Sequence, residues 1–378
     1  MKKILIPTTY FYPAIKAGGP TVSLSEMVNS LNDKFNFFII TTNKDIDGTI
    51  FNINANEICE KFKSEIFYNN SLPSIFSLFK ILKKNKFDIV YLNSFFSLKE
   101  TLPIILFSHL FKYKIILSTR GQLMDGAINN SKKKLFYINI FNLLFSNKIY
   151  QYHLTSPIEL EGLRKYLKSK IDNYRIIQNL KTVDIINKYY ISNKKSNSIK
   201  IVFFSRIVPK KNLIDAINIV KSTGLEDIIF DIYGTIEDVK YWEYVLSHSS
   251  KINLNINYCG VLEKKDITIT LNQYHIFLFP TLGENFGHVI IEALQSGIPV
   301  LLSDNTPFKN NNLEGAGWSY SLNSLEFFRN KIIEIYKMDK SEFQLIKNNI
   351  KSYLLNYIIE NNRLKIKYYQ LFSNENVK

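Results

Sequence analysis

The stretch Pro280–Pro299, PTLGENFGHVIIEALQSGIP, constrains this chain more than any other. Val289, Ile290, Ala293 and Leu294 recur at helical spacing, so one helix face is built to pack. Gly297 and Pro299 stop that helix. The apolar run from Val300 to Leu302 predicts a buried strand after it. Strand, acidic loop, helix and strand in succession form one unit of a parallel α/β sheet.

The same stretch has the chemistry of an anion and hydroxyl site. The backbone N–H groups of Asn285, Phe286 and Gly287 are predicted to be the unpaired donors of a helix N-terminus, which favour a phosphate or sugar oxygen. Gly283 and Gly287 let the backbone come close to a ligand. Glu284 and Glu292 make sense beside a phosphate only as acceptors from hydroxyls, such as those of a sugar and a ribose. From spacing alone, Glu284 as a helix cap and Glu292 as a solvated helix residue remain equally open.

At these residues the chain closely resembles a known family. GENFGHVIIEALQSGIPVLLSD is similar to the Glu, seven residues, Glu signature of retaining glycosyltransferases of family four. That resemblance implies the GT-B fold, an α/β architecture of two Rossmann-like domains with parallel sheets facing a central cleft. The C-terminal domain would bind a nucleotide-sugar donor, with Glu284 on the donor-sugar hydroxyls and Glu292 on the ribose.

The chain has 378 residues, enough for two domains. Its apolar fraction of 46% and aromatic fraction of 14% suffice for two buried cores. A formal charge of +15 calls for an acidic partner, with nucleic acid, anionic membrane and phosphate-bearing substrate all eligible. Cys59 and Cys259 follow no metal spacing and suit a reducing compartment. The opening MKKILIPTTYFYP has too short an apolar run for a signal peptide. The apolar segment from Leu102 to Leu117 is broken by His109, Lys112 and Lys114, so no membrane-spanning helix is expected.

Taken in order, a strand over residues 3–8 leads to Gly18, Gly19 and Pro20 ahead of an amphipathic helix. A glycine pair between strand and helix is where a doubly wound sheet admits a phosphate or sugar, although such turns are also ordinary structure. The resemblance places Gly18 and Gly19 across the cleft from the donor. Further strand–helix alternation follows, including a helix over residues 71–85. The strand KIILST ends in Arg120-Gly121, where strand C-termini line a ligand crevice. Arg120 is therefore a candidate for an acceptor or phosphate contact, with a salt bridge to a neighbouring loop as the alternative. Residues 132–151, KKKLFYINIFNLLFSNKIYQ, predict a basic, apolar helix that suits either the protein interior or an anionic lipid surface. The turn Asn179-Leu180 departs from the Asn-Gly of the resembled family, which weakens a ligand role there.

The polar residues 181–198 are expected to be a linker. The second domain opens with an apolar strand, a loop carrying Arg206, Lys210 and Lys211, and a helix from Leu213. Two cations at a strand-to-helix loop match a pyrophosphate. The resemblance assigns that role to Arg206 and Lys211, and leaves Lys210 solvated. It also implies main-chain contacts to the nucleotide base around Gly260. His288 is a candidate sugar or phosphate contact, or a packed loop residue.

These readings predict an N-terminal domain over residues 1–180 completed by a C-terminal helix at 356–378, and a nucleotide-sugar-binding domain over 199–355. Arg206, Lys211 and Glu284 are the expected catalytic residues. The expected donor contacts are Gly18, Gly19, Gly260, Asn285, Phe286, Gly287 and Glu292. The resemblance implies metal-independent, cofactor-free transfer of a hexose-type sugar from a UDP- or GDP-sugar. The acceptor would be a polyprenyl-diphosphate-linked saccharide in bacterial O-antigen, capsule or lipopolysaccharide assembly. The enzyme would be cytoplasmic and peripheral on the inner face of the plasma membrane, without a nucleic-acid partner. The alternatives are a non-catalytic basic binding module on a degenerate GT-B fold, or another GT-B activity such as a nucleotide-sugar epimerase.

Overall fold

The computed structural model describes residues 1–54, 58–61, 63–71, 74–129, 131–167, 172–226, 228–249, 255–284 and 286–373. By internal contacts the chain divides into two units, Met1–Thr182 with Asn361–Lys378, and Val183–Glu360.

In the first unit, apolar strands alternate with helices in the rhythm expected of a parallel sheet. In chain order these are β1 (Lys2–Pro7), α1 (Gly19–Leu31), β2 (Phe35–Thr42), β3 (Ile58–Lys61), β4 (Ser64–Asn69), α2 (Ile75–Lys84) and β5 (Ile89–Leu92). Then come α3 (Leu98–Phe111), β6 (Lys114–Ser118), α4 (Asp125–Ile128), α5 (Lys132–Leu144), β7 (Gln151–Leu154), α6 (Pro157–Tyr166) and β8 (Tyr174–Ile176). The sheet order is β3-β4-β2-β1-β5-β6-β7-β8, antiparallel only between β3 and β4.

Side chains alternate across this sheet, because successive strand residues point to opposite faces. Leu5, Val90, Ile115 and Leu117 join one core cluster with residues of α2, α3 and α5. Ile4, Ile6, Tyr91 and Ile116 join the other, against α1 and Tyr368, Leu371 and Phe372 of the terminal helix.

The second unit contains β9 (Ile199–Phe204), α7 (Leu213–Ser222), β10 (Ile228–Tyr233), α8 (Val239–Ser249), β11 (Asn255–Tyr258), α9 (Ile267–Leu271) and β12 (Ile276–Phe279). It continues through α10 (His288–Gln295), β13 (Val300–Ser303), α11 (Asn310–Leu313), β14 (Gly317–Tyr320), α12 (Leu325–Lys337) and the start of α13 (Lys340–Ser373). Its six strands run parallel in the order β11-β10-β9-β12-β13-β14. The central pair is in register with Ile201 opposite Ile276 and Val202 opposite Phe277, all four fully buried.

The two units divide between Thr182 and Val183, inside the expected linker of residues 181–198, and much of that stretch is packed. Within the first unit, the Lys181 and Thr182 amides donate to Asn361 Oδ1 at 3.3 Å and Glu26 Oε2 at 3.2 Å. Within the second, Tyr189 and Tyr190 are buried. Lys194 Nζ donates to the carbonyls of Lys195, Tyr336 and Met338, which caps the end of α12. A polar composition hid this packing, because two tyrosines and one lysine stem supply the apolar contact.

Candidate active site

The charged residues singled out in the second unit lie on loops at the C-terminal edge of its sheet. β9 delivers Arg206 and, after one 3-10 turn over Pro209–Lys211, Lys211. β12 delivers Glu284. The strands are neighbours, and their loops are tied together at several points. Leu282 N and Thr281 Oγ1 both donate to the Lys210 carbonyl, at 2.9 and 3.0 Å. Asn212, in a left-handed conformation, donates through Nδ2 to the Pro280 carbonyl at 2.9 Å. Glu284 N donates to the carbonyl of Asn305, beyond β13, at 3.0 Å.

This bracing brings Lys211 and Glu284 together. Lys211 Nζ donates to Glu284 Oε2 at 2.5 Å. The two side chains are only 10% and 19% exposed, so water screens their attraction weakly. The lysine ammonium also lies over the Phe279 ring, 5.4 Å from its centroid. Lys210 is exposed, as expected, with its Cε 3.3 Å from where a Cβ on Gly283 would stand.

Arg206 is held differently. Its Nη1 donates to both carboxylate oxygens of Glu237, at 3.0 and 2.9 Å. Glu237 follows β10, the strand on the other side of β9. The three expected catalytic residues thus share one sheet edge, but they form two ion pairs rather than a single clamp. Arg206 is exposed, and its pair is the more solvated of the two.

The helix after Glu284 begins one turn position later than the sequence predicts. Its N-cap is Gly287 at φ 81, and α10 starts at His288. Ile290 N and Ile291 N close back onto the Gly287 carbonyl, so the first-turn amides belong to His288 and Val289, not to Phe286 and Gly287. The positive φ favours glycine here, and a Cβ would also stand 2.8 Å from Ile290 Cδ1, so that side chain would have to shift. Asn285 lies outside the described residues. Phe286 packs its ring on His288, with centroids 4.5 Å apart. Glu292 is half-buried on α10, one turn after its start.

Gly260 lies just beyond β11 at φ 83, its carbonyl accepting from Gly234 N at 2.8 Å. A side chain there would meet nothing within 4 Å, so its backbone is open to approach. Gly18 is the N-cap of α1 at φ 88 and Gly19 its first residue, both in the first unit.

Arg120 occupies the corresponding edge of the first sheet. It adopts φ 49, unusual for a residue with a side chain, and strain of this kind concentrates at functional sites. Its guanidinium donates to Asn93 Oδ1 at 2.7 Å, to Asn179 Oδ1, and to Tyr91 Oη at 3.2 Å. Each partner is neutral, so the expected alternative of a salt bridge is not what holds it among the described residues. Tyr91 Oη in turn meets His153 Nδ1 at 2.8 Å, and His153 Nε2 donates to the Ile177 carbonyl at 2.9 Å. Burial, and then the Arg120 charge, push the His153 pKa down to about 3. The imidazole is neutral and does not offset the arginine.

Sequence reasoning missed Glu237 and discounted Asn179. Glu237 sits in a run of charges with no distinguishing pattern. Asn179 was visible in the turn, but its work depends on an arginine 59 residues away in sequence.

Residues 186–352 match a family model described as glycosyl transferases group 1. The chain is 24% identical over 377 residues to the Escherichia coli UDP-Gal:alpha-D-GlcNAc-diphosphoundecaprenol alpha-1,3-galactosyltransferase, covering 94% of this chain and 93% of that protein. It is also 24% identical over 291 residues to a protein of the cps region of Klebsiella pneumoniae, covering 70% of this chain and 75% of that one. Among solved structures, Anabaena HepE in complex with UDP and glucose superposes with a TM-score of 0.70 at 16% identity, over 99% of this chain and all of that one. The fold is therefore the two-domain GT-B architecture.

Proposed function

We propose that this chain, whose residues 186–352 match the glycosyl transferases group 1 model, is a glycosyltransferase that moves a hexose-type sugar from a nucleoside diphosphate donor to a lipid-linked saccharide in bacterial surface polysaccharide assembly. The observation that carries this reading is the weakly screened Lys211–Glu284 pair, on loops of adjacent strands within the family-matching segment. UDP is the favoured nucleotide, on the strength of the named donor of the Escherichia coli relative. That relative's diphosphoundecaprenol acceptor supports a polyprenyl-diphosphate-linked acceptor here.

In the proposed reaction the bond between the sugar anomeric carbon and the diphosphate oxygen breaks while the acceptor hydroxyl oxygen bonds to that carbon. The acceptor proton passes to the departing diphosphate, on the same face of the sugar, so configuration is retained. In this reading Arg206 and Lys211 stabilise the negative charge that grows on the leaving group, and fixed cations do so most when water is excluded. Glu284 accepts from donor-sugar hydroxyls and Glu292 from the ribose. Phe286, Gly287, His288 and the open backbone at Gly260 complete the donor contacts. We assign Arg120 to the acceptor, and no metal is assigned a role.

Among the described residues, no helix is long and apolar enough to cross a membrane. In this reading the protein meets its lipid-linked acceptor at the inner face of the plasma membrane as a peripheral protein. The test is a panel of UDP- and GDP-sugars, first by thermal shift and then with an undecaprenyl-diphosphate-linked saccharide. One donor should raise the melting temperature and yield a product whose anomeric configuration matches the donor's. If no donor binds or transfers, the reading falls.

A further inference from the structure

We propose that the outer surface of the α2, α3 and α5 layer is the face with which this protein lies on an anionic lipid bilayer. The proposal deepens the membrane partner named above, and rests on that reading for its biological purpose but not for its physics. The three helices stand side by side on one face of the first sheet. Phe79 of α2 packs on Phe107 and Phe111 of α3, with centroids 5.6 and 5.5 Å apart. Tyr137 of α5 packs on Phe96, just before α3, at 5.6 Å. Lys148, just after α5, contacts His109 near the end of α3.

Each helix already buries one apolar side, yet each also exposes large apolar side chains among its polar residues. α5 buries Ile138 and Phe141, while Phe136 is 68% exposed and Leu143 82% exposed. α3 buries Ile104 and Ile105 but exposes Leu106 and Leu110, one helical turn apart. Phe76 on α2 is 80% exposed. Surface helices of a protein that stays in water carry polar residues on this side. Large apolar side chains exposed on three neighbouring helices mark a place where something docks.

Charge selects the occupant. Residues 75–86, 98–114 and 132–148 contain eleven lysines and a single acid, Glu100, which is buried. A second copy of this chain would bring the same positive surface and be repelled. A nucleic acid would match the charge but leave the apolar side chains wet. A leaflet rich in anionic phospholipid answers both, with lysine ammonium groups at the headgroups and the apolar side chains at the acyl boundary.

The experiment is co-sedimentation of the full chain with vesicles of phosphatidylcholine alone, and of phosphatidylcholine mixed with phosphatidylglycerol. Binding is expected only to the mixed vesicles and should weaken with added salt. Leu106→Glu with Leu143→Glu, and separately Lys132→Glu with Lys133→Glu, should each cut vesicle binding by at least about tenfold. All four residues are exposed and none is among the assigned contacts, so transfer to a short-chain, water-soluble acceptor should stay at the unaltered rate. Equal binding to phosphatidylcholine alone, or full binding by both variants, overturns the proposal. So does a dimer in light scattering that the leucine variant converts to monomer, or binding of DNA in preference to vesicles. Loss of transfer in the unaltered protein would instead count against the enzymatic reading and leave this surface standing.

Discussion

Lys211 Nζ donates to Glu284 Oε2 across 73 residues of sequence, and the contact exists because β9 and β12 are hydrogen-bonded neighbours. Neither side chain is fully dehydrated, but both are buried enough that removing one leaves the other charge costly. Lys211→Ala and Glu284→Ala should each lower stability, by about 3 kcal/mol at most. The double variant should be more stable than the sum of the two losses implies, because it strands no charge. Denaturant unfolding of the three variants measures this coupling. Transfer should fall by at least about a hundredfold in each.

Arg206 and Glu237 form the contrasting pair. Their side chains are 46% and 32% exposed, so the bond contributes about 1 kcal/mol or less to stability. Glu237 is then mainly a competitor for the arginine that a diphosphate needs. Glu237→Gln should leave the melting temperature nearly unchanged and tighten the binding of UDP in calorimetry, most clearly at low salt. Arg206→Ala should weaken UDP binding and abolish transfer in a folded protein. Weaker UDP binding in Glu237→Gln would remove the competitor role.

Two histidines make the fold sensitive to acid. His275 Nδ1 accepts from the Lys200 amide at 2.9 Å, and burial, followed by nearby lysines, pushes its pKa down to about 4. His153 is held at about 3. In the unfolded chain both protonate near pH 6.5. Their neutral forms therefore stabilise the fold fully above that value, and the contribution is lost as pH falls toward the folded pKa. For His275 the loss amounts to roughly 3 kcal/mol. Unfolding free energy should decline between pH 6.5 and 4, and His275→Gln should flatten that decline.

Two glycines separate backbone geometry from ligand access. Gly234 adopts φ 148, and a Cβ there would stand 1.7 Å from the Ser205 carbonyl oxygen, inside the turn that positions Arg206. Gly260 adopts φ 83 with open space around it. Gly234→Ala should destabilise by more than about 3 kcal/mol, because backbone must move. Gly260→Ala should cost only about 1 kcal/mol of conformational strain. Its nucleotide affinity should nevertheless drop if the base lies against that backbone, which paired unfolding and calorimetry would resolve.

What the sequence reveals here is what local pattern encodes. Apolar strands at regular intervals disclose the parallel sheets, and charged loops at their ends disclose Arg206, Lys211 and Glu284. Partners set by strand adjacency stay hidden: Glu237 reaches Arg206 only because β10 lies beside β9. The start of α10 is misread because Gly287 closes the turn in a left-handed conformation that an apolar period does not register. The β3–β4 pair escapes because Glu60, Lys61, Lys63 and Glu65 interrupt its apolar alternation, as charges on edge strands often do.

Arg120 offers the last test. Three neutral side chains aim its guanidinium, and the adjacent imidazole stays uncharged, so a full positive charge sits at the edge of the first sheet. A group positioned in this way suits the phosphate or saccharide of the acceptor. Arg120→Ala should therefore raise the acceptor KM by at least about tenfold, the value of one charge-assisted hydrogen bond, while the donor affinity stays unchanged. Arg120→Lys keeps the charge but lacks the fork that Asn93, Asn179 and Tyr91 engage together, so it should recover only part of the loss. Asn179→Ala removes one of the three aiming bonds and should mimic Arg120→Lys in acceptor KM. An unaltered acceptor KM in Arg120→Ala, or a change confined to donor affinity, would move this arginine out of the acceptor site.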